Sequence, residues 1–330
     1  MRDQRKAVVT LAIAGALAFA VRARTQSTSA PGGTVDKPSA AVQPLDTFHV
    51  GGNVHMLIGA GANIAVQVGD EGVLVVDTGL AQNAPRVIAT IRTLSNRPIR
   101  WIINTHVHPD HTGGNEAVAA AGSKTIGGPA EIIAHENVLT RMSAPGRQPP
   151  ASTAAYPTDT YVPEEKDIYF NGEAVMVYHE PMAHTDGDSI VFFRKSDVIV
   201  AGDTFVTTSY PFIDRANGGS VQGELNALNR ILDLAVPAHE QEGGTLVIPG
   251  HGRVCDEADV LEYRDMVTIV RDRIQDMVNR GLTINQVKAA KPTLDYDRHY
   301  GSETGFVTTA GFIGAVYNDL KNPQGKPRVR

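Results

Sequence analysis

The sequence H-V-H-P-D-H at positions 106–111 limits the folds open to this chain more than any other feature. It follows a largely apolar run at 99–104, which is typical of a buried strand. Residues two apart in an extended segment point the same way, so His106 and His108 would present two imidazoles to one side. The chain then bends and adds a carboxylate and a third imidazole. This many ionisable groups beside a buried strand would be costly unless a bound cation compensated them.

Three further metal-capable residues follow later in the chain, each just after a strand-like apolar run. His184 lies in A-H-T-D-G-D, Asp203 in A-G-D-T and His251 in P-G-H-G. This order resembles the metallo-β-lactamase superfamily, whose members carry H-x-H-x-D-H, then a single His, a bridging Asp or Cys, and a last His. The resemblance covers roughly residues 54–251.

The resemblance implies an α/β fold, namely a four-layer αββα sandwich whose metal loops meet at one edge. The residues agree in outline, because the second half repeats the succession of strands, liganding loop, helix and strand found in the first. The sandwich would occupy residues 46–255. Residues 256–330 are predicted to be a C-terminal helical extension packed on the same domain.

Periodicity and breakers predict individual elements along the chain. The predicted helices are 84–94, 115–121, 129–139, 222–235, 260–280, 284–290 and 311–320, and a strand is expected at 124–126. Further strands are expected at 168–170, 174–179, 189–194, 198–201 and 245–248.

The resemblance also implies two divalent metal ions and seven ligands. The ligands are His106, His108 and His184 for the first ion, Asp110, His111 and His251 for the second, and Asp203 bridging both. Asp77 would support the ligands from behind, the alternative being a turn residue that caps the helix at 84–94. Imidazole and carboxylate ligands without thiolate suit Zn²⁺ best, and Fe or Mn also fits this set.

Two such ions can share a water and lower its pKa towards ~7, which makes hydroxide available at neutral pH. The resemblance therefore implies a zinc-dependent hydrolase that attacks the carbonyl of an ester, thioester, lactone or amide, a β-lactam included. Asp110 is the candidate catalytic residue, steering the hydroxide or moving a proton. The alternative is a metal-stabilised ligand-binding protein without turnover, because a bound cation contributes folding energy whether or not it catalyses.

Departures from named subfamilies bear on the substrate. The best-known β-lactamases have Cys or His where this chain has Asp203, and an Asp there is the pattern of glyoxalase II-like thioesterases and lactonases. Those lactonases place a Tyr three residues later, where this chain has Val206. Tyr210 is then the candidate for a substrate-binding hydroxyl, against the alternative of a packed aromatic residue. The di-iron oxidoreductases of the superfamily carry Glu where this chain has His108, which argues against that branch.

The N-terminus predicts export. Basic residues within 2–6 precede an uncharged run at 7–21 and a small-residue exit, which together indicate a signal peptide at 1–23. The alternative is an uncleaved anchor. Residues 24–45 are rich in Ser, Thr, Ala, Pro and Gly, which favours a flexible linker. We expect a periplasmic or secreted protein, and the single cysteine, Cys255, excludes an intrachain disulfide.

Composition narrows the partners. The chain has 330 residues, 42% of them hydrophobic, and a formal net charge of −6. Its Lys and Arg residues form no dense run, so we expect no nucleic-acid partner. A small-molecule substrate is predicted, with no stable membrane span after signal cleavage. Neither the oligomeric state nor the identity of the substrate follows from the sequence.

Overall fold

Two mixed sheets organise the computed structural model, which describes residues 42–146 and 151–323. The predicted signal peptide and most of the predicted linker lie outside the described residues. The first sheet has the order β1-β2-β3-β4-β5-β6-β7, and the second has the order β12-β11-β10-β9-β8. The strands are β1 (Asp46–Gly51), β2 (Val54–Ile58), β3 (Ile64–Val68), β4 (Val73–Val76), β5 (Ile99–Ile103), β6 (Glu131–His135), β7 (Asp159–Tyr161), β8 (Glu165–Phe170), β9 (Glu173–Glu180), β10 (Asp188–Phe193), β11 (Val198–Val206) and β12 (Leu246–His251).

The sheets pack face to face through a core of alternating apolar residues. Val54, Leu74 and Ile103 from the first sheet share this core with Val177 and Phe193 from the second, and all five are fully buried or nearly so. Side chains on a strand alternate between its two faces, so the intervening residues of each strand must find partners on the outer face. Helices supply those partners on both sides.

The helices of the described residues form the two outer layers. They are α1 (Ala84–Leu94), α2 (Pro109–Thr112), α3 (Asn115–Ala120), α4 (Glu136–Met142), α5 (Val221–Leu234), α6 (Glu257–Asn279), α7 (Ile284–Ala289), α8 (Asp297–Tyr300) and α9 (Thr309–Lys321). Helices α1 and α3 share a buried cluster with the outer face of the first sheet. Helices α5, α6 and α9 share another with the outer face of the second. The four-layer αββα sandwich expected from the sequence is confirmed, and none of the described helices is long and apolar enough to cross a membrane.

The sequence prediction was wrong between α3 and α4. Residues 124–126 were expected to be a strand but form a turn, in which Gly127 takes a positive φ of 90°. The helix expected at 129–139 is instead strand β6 followed by α4. Ile132 packs outward and Ile133 packs into the inter-sheet core, so β6 is buried on both faces. Such a strand is a continuous apolar run, which periodicity does not distinguish from a helix.

Parallel pairing explains why the candidate ligands meet. Strands β4, β5, β6 and β7 pair in parallel, as do β11 and β12. The carboxyl ends of parallel strands lie at the same edge of a sheet, so the loops after β4, β5 and β6 are neighbours, and so are the ends of β11 and β12. The backbone N–H of Asn63, just before β3, donates to Gly250 O in β12 at 2.9 Å, which holds this end of the second sheet beside the first.

Candidate metal centre

Short connections at one edge of the sandwich carry the seven predicted ligands. The H-x-H-x-D-H segment begins three residues after β5 ends at Ile103, and its last two ligands fall in the first turn of α2. His184 follows β9, Asp203 lies within β11 and His251 ends β12. The structure therefore brings together side chains that are up to 145 positions apart, as the separation of His106 and His251 shows.

Three imidazoles form the first group. His108 Nδ1 lies 3.2 Å from His106 Nε2 and 2.9 Å from His184 Nε2, so one nitrogen of each ring points to a common centre. Asp203 Oδ2 lies 3.9 Å from His184 Nε2. His106 and His184 are fully buried.

The second group combines Asp110, His111 and His251. Asp110 Oδ2 lies 3.8 Å from His111 Nε2 and 3.3 Å from His251 Nε2. Asp203 Oδ1 lies 3.2 Å from His111 Nε2 and 3.4 Å from His251 Nε2. One oxygen of Asp203 thus faces each group, which is the arrangement that a bridging carboxylate requires.

The donor atoms fit a pair of divalent cations. His111 Nε2 and Asp203 Oδ1 are buried without a hydrogen-bond partner, although unsatisfied buried polar atoms are costly. The ligand atoms of the first group, together with Asp203, all lie within 4.8 Å of one another, as do those of the second group. Gly250 makes this approach possible, because a Cβ there would lie 2.0 Å from Asp203 Oδ1.

Electrostatics differ between the two groups when no cation is bound. Burial, reinforced by the neighbouring His111 and His184 rings, lowers the pKa of His106 well below its ordinary value, and burial lowers the pKa of His184 to about 4. Burial opposes protonation of His251 too, but the adjacent carboxylates of Asp110 and Asp203 raise its pKa to about 9. His106 and His184 therefore present neutral imidazoles that can bind a cation at neutral pH, whereas a cation that binds His251 must displace a proton.

Asp77 lies behind the predicted ligands and contacts one of them, His111. Its carboxylate accepts hydrogen bonds from Thr105 N at 2.8 Å, Thr105 Oγ1 at 2.7 Å and His111 Nδ1 at 2.7 Å. The bond to Nδ1 leaves His111 Nε2 facing Asp203. Asp77 has a φ of 65°, a left-handed conformation that Asp tolerates better than most residues. The alternative helix-capping role is not used, since Asn83 occupies the cap of α1.

Asp214 is a functional candidate that the sequence reasoning missed. Its Oδ2 accepts a hydrogen bond from His108 Nε2 at 2.8 Å, which leaves His108 Nδ1 for the common centre. Burial alone would raise the pKa of Asp214, but hydrogen bonds from His108 and Asn217 hold it below its ordinary value. The two residues are 106 positions apart, and no spacing pattern marks Asp214. A histidine that binds a metal usually donates its other ring N–H to a carboxylate or a carbonyl. This general rule is the one signal that predicts a residue in the position of Asp214.

We expect Asp214→Asn to weaken metal binding by about 10- to 100-fold, the usual cost of losing such a partner. Asparagine keeps an oxygen for the backbone N–H groups of Ala216 and Asn217 but lacks the second carboxylate oxygen that accepts from His108. Competition with a chromophoric chelator measures the affinity. Asp186→Asn is the matched control, because that carboxylate pairs with Arg141. Equal affinities for Asp214→Asn and wild type would rule out a role for Asp214 in positioning His108.

Tyr210 does not have the substrate-binding position considered for it. Its side chain is fully buried, and its hydroxyl donates to Thr293 O at 3.2 Å and contacts Asp297 Oδ1 at 2.9 Å. The ring stacks on Phe312 with centroids 4.7 Å apart. The prediction was wrong because α8 and α9 cover this residue, and the alternative of a packed aromatic describes it correctly.

His135 and His179 form a structural pair outside the two ligand groups. Their rings stack in parallel with centroids 3.5 Å apart, and His135 is 4% exposed. Burial and then the charge of His179 lower the pKa of His135 from 6.5 to about 4. Between these values the unfolded chain binds a proton that folded His135 excludes, so stability falls as the pH drops through this window.

We expect His135→Asn to lessen the acid destabilisation between pH 6.5 and pH 4 by about 2.5 kcal/mol. At about 1.4 kcal/mol per pKa unit the whole shift is worth about 3.5 kcal/mol, and the remainder falls outside this pH range. Asparagine retains a side-chain acceptor for Asn137 N at the start of α4. Urea unfolding at several pH values gives the two curves. The exposed His239→Asn serves as control and should parallel wild type. Parallel curves for His135→Asn would contradict the assignment.

A cleft of about 850 Å³ opens onto the two ligand groups. His108, Asp110, Asp203 and His251 lie along it, so ligands from both groups face the same space. Asp214 also lines the cleft, whereas His106, His111 and His184 are buried behind it. A small molecule in this cleft would meet both metal positions.

The αββα sandwich carries two groups of side chains that could each hold a metal ion. A sequence model described as the metallo-beta-lactamase superfamily matches residues 58–251, which include all seven predicted ligands. The chain belongs to this superfamily.

The individual proteins that this chain resembles are named for three different reactions. The chain is 25% identical over 259 residues to a linear primary-alkylsulfatase of a Pseudomonas species, covering 66% of this chain and 47% of that protein. It is 30% identical over 177 residues to a hydroxyacylglutathione hydrolase of Rhodospirillum rubrum, covering 54% and 56%. A 2,4-dinitroanisole O-demethylase subunit alpha of a Nocardioides species is 28% identical over 181 residues, covering 52% and 50%. The chain spans about half the length of these curated relatives.

Solved structures support the fold. The stereoselective inverting sec-alkylsulfatase Pisa1 from a Pseudomonas species superposes with a TM-score of 0.61 at 16% identity, over 83% of this chain and 50% of that one. A metallo-beta-lactamase from Pontibacter korlensis superposes with a TM-score of 0.53 at 17% identity, over 68% and 99%. The alkylsulfatase superposes on 83% of this chain and the β-lactamase on 68%. The fold shared with the alkylsulfatase therefore extends over more of the chain.

Proposed function

We propose that this protein hydrolyses small carbonyl esters, thioesters, lactones or amides with two divalent metal ions, most suitably Zn²⁺. The observation that carries the proposal is the placement of Asp203, whose two oxygens face the two ligand groups at the wall of a cleft. Divalent cations held there would supply a water nucleophile at neutral pH and positive charge to polarise a carbonyl. Nitrogen and oxygen donors without thiolate favour zinc.

The protein's own residues would orient the reactants. Asp110 lines the cleft with a partly exposed side chain, so it is placed to accept a proton or a hydrogen bond from a water beside the carbonyl. Asp77 and Asp214 fix the rings of His111 and His108 by bonding the nitrogens that point away from the centre. Preorganised ligands of this kind spare the reaction the cost of assembling the site during each turnover.

A sulfate ester is the second candidate substrate class, because both alkylsulfatases in the comparisons cover a large share of this chain. The cleft is less suited to an anion. Among the described residues that line it, none is lysine or arginine, so no side chain offers a positive charge to the sulfate oxygens, and Asp214 adds a carboxylate beside His108. A neutral carbonyl substrate needs no such positive side chain, so it is the first choice.

A turnover panel tests the proposal. Metal-loaded protein would be assayed with carbonyl esters, thioesters, lactones, amides, β-lactams and alkyl sulfates, each with zinc, manganese or iron. We expect turnover of neutral carbonyl substrates that a chelator abolishes and added metal restores. Hydrolysis of alkyl sulfates alone would favour the second candidate. Full metal loading with no turnover of any class would favour the ligand-binding alternative.

Export to the periplasm or the medium is part of the same proposal, supported by the basic, apolar and small-residue succession at 1–23. N-terminal sequencing of the mature protein and fractionation of producing cells test it. A mature chain beginning after residue 23 in the exported fraction would support cleavage. Retention of the whole segment in a membrane fraction would favour the uncleaved anchor.

A further inference from the structure

A closed loop of the C-terminal extension forms part of the cleft. It joins α8 to α9, and its ends are tied together: Thr309 N donates to Ser302 O at 2.8 Å, and Ser302 N donates to Thr309 Oγ1 at 3.1 Å. Val307 packs against the hydrophobic cluster of α5, α6 and α9. The loop therefore has a fixed base, and Phe306 lies next to the anchored Val307.

Phe306 is 82% exposed and lines the cleft. Its ring meets that of Phe212 edge to face, with centroids 4.8 Å apart. Phe212 in turn lies 5.9 Å from the ring of His108 and 5.6 Å from the ring of His184, measured between centroids. A continuous aromatic wall thus runs from the first ligand group to the loop.

Phe212 is held in this position by its own backbone. Its carbonyl oxygen accepts a hydrogen bond from His184 Nδ1 at 2.6 Å. The same residue therefore orients a candidate metal ligand and presents an aromatic ring to the cleft. An apolar group resting on this ring would lie beside the first ligand group.

The other apolar residues along the cleft extend this wall into a subsite. We call Leu80, Val206, Phe212, Phe306 and Val307 the apolar subsite. The ionisable residues lining the cleft are His108, Asp110, Asp203, Asp214 and His251, all belonging to the metal centre or contacting it. A charged tail would find no opposite charge among the described lining residues away from the metal positions. An uncharged apolar tail would remove aromatic surface from water, and the energy gained grows with the area buried.

Single exposed hydrophobic residues are common on protein surfaces and need no ligand. Phe306 differs in two respects. It contacts a second phenylalanine rather than standing alone, and both rings border a cleft that also contains candidate metal ligands. These two contacts, and not the exposure of the Phe306 side chain alone, indicate a binding surface.

We propose that the apolar subsite binds an uncharged alkyl or aryl group of the substrate, with Phe306 as a specificity-determining residue. The substrate class is then an ester, thioester, lactone or amide carrying an apolar tail rather than a carboxylate-bearing one. This inference rests on the proposed function for the reaction, but the subsite can be tested through binding alone.

The test uses hydroxamates, which bind metal through the head group and report on the tail separately. Affinities of acetohydroxamate, octanohydroxamate and a hydroxamate of similar length ending in a carboxylate would be measured calorimetrically on zinc-loaded wild type, Phe306→Ala and Phe48→Ala. Phe48 is a half-exposed phenylalanine on β1 and is not among the lining residues. Hydrolysis of acetyl and octanoyl esters would be measured on the same proteins.

We expect wild type and Phe48→Ala to bind octanohydroxamate at least about 10-fold more tightly than acetohydroxamate, since longer tails bury more apolar surface. The carboxylate-ended ligand should lose most of that gain. Phe306→Ala should reduce the preference to about 3-fold or less while binding acetohydroxamate as wild type does.

Equal binding of the short and long ligands by wild type would overturn the subsite, and so would an undiminished preference in Phe306→Ala. Failure of every hydroxamate to bind would overturn it as well. A chain-length preference in binding without hydrolysis of any ester would instead overturn the proposed function and leave the subsite in place. The two failures are therefore distinguishable.

Discussion

Replacing Asp203 with alanine is expected to lower kcat/KM for a carbonyl substrate by about 10³-fold or more, a loss of roughly 4 kcal/mol in transition-state stabilisation. Both ligand groups lose their shared carboxylate in this variant, because Asp203 Oδ1 faces His111 and His251 while Oδ2 faces His184. The metal content should fall below two equivalents per chain. Steady-state kinetics and elemental analysis of the same preparation measure both effects.

Asp233→Ala is the matched control, since Asp233 is an exposed carboxylate on α5, outside the cleft. It should retain wild-type metal content and activity. Near-normal turnover by Asp203→Ala would show that Asp203 is not the shared ligand. If wild type turns over nothing and Asp203→Ala only loses metal-dependent stability, the ligand-binding alternative gains support.

Replacing Asp77 with alanine should destabilise the protein by about 3 kcal/mol and weaken metal binding by about 10- to 100-fold. The buried N–H of Thr105 would lose its acceptor, and His111 would lose the bond that orients its ring. Alanine also tolerates the left-handed backbone at this position less well than Asp does. Denaturant unfolding and chelator competition give the two quantities.

Asp77→Asn separates the two effects. Asparagine keeps the left-handed backbone and one acceptor for Thr105 N, so it should recover most of the lost stability. It lacks the second carboxylate oxygen that accepts from His111, so metal affinity should stay low. Full recovery of both by asparagine would mean that Asp77 acts through the backbone turn alone.

The sequence predicted features that depend on residue type and local spacing. His106 and His108 could be placed on one side of an extended segment because alternation in a strand is a local rule. The sandwich followed from the resemblance and the repeated order of elements. Helix α1 was predicted with its observed bounds, Ala84–Leu94, because an apolar stripe is a local signal.

What the sequence reasoning missed depends on contacts between distant residues. Strand β6 was taken for part of a helix, because burial on both faces removes the alternation that identifies a strand. Tyr210 was considered for the substrate although α8 and α9 bury it. Asp214 and Phe306 reach the metal centre and its cleft only through tertiary folding, so neither has a local pattern that marks it.

Elemental analysis of the purified full chain, followed by titration of the metal-free protein with zinc, tests the dinuclear site most directly. The geometry predicts close to two equivalents of divalent metal per chain, falling below two in Asp203→Ala. Absence of bound metal in carefully prepared wild type, with no binding of added zinc, would contradict a metal centre built from these seven side chains.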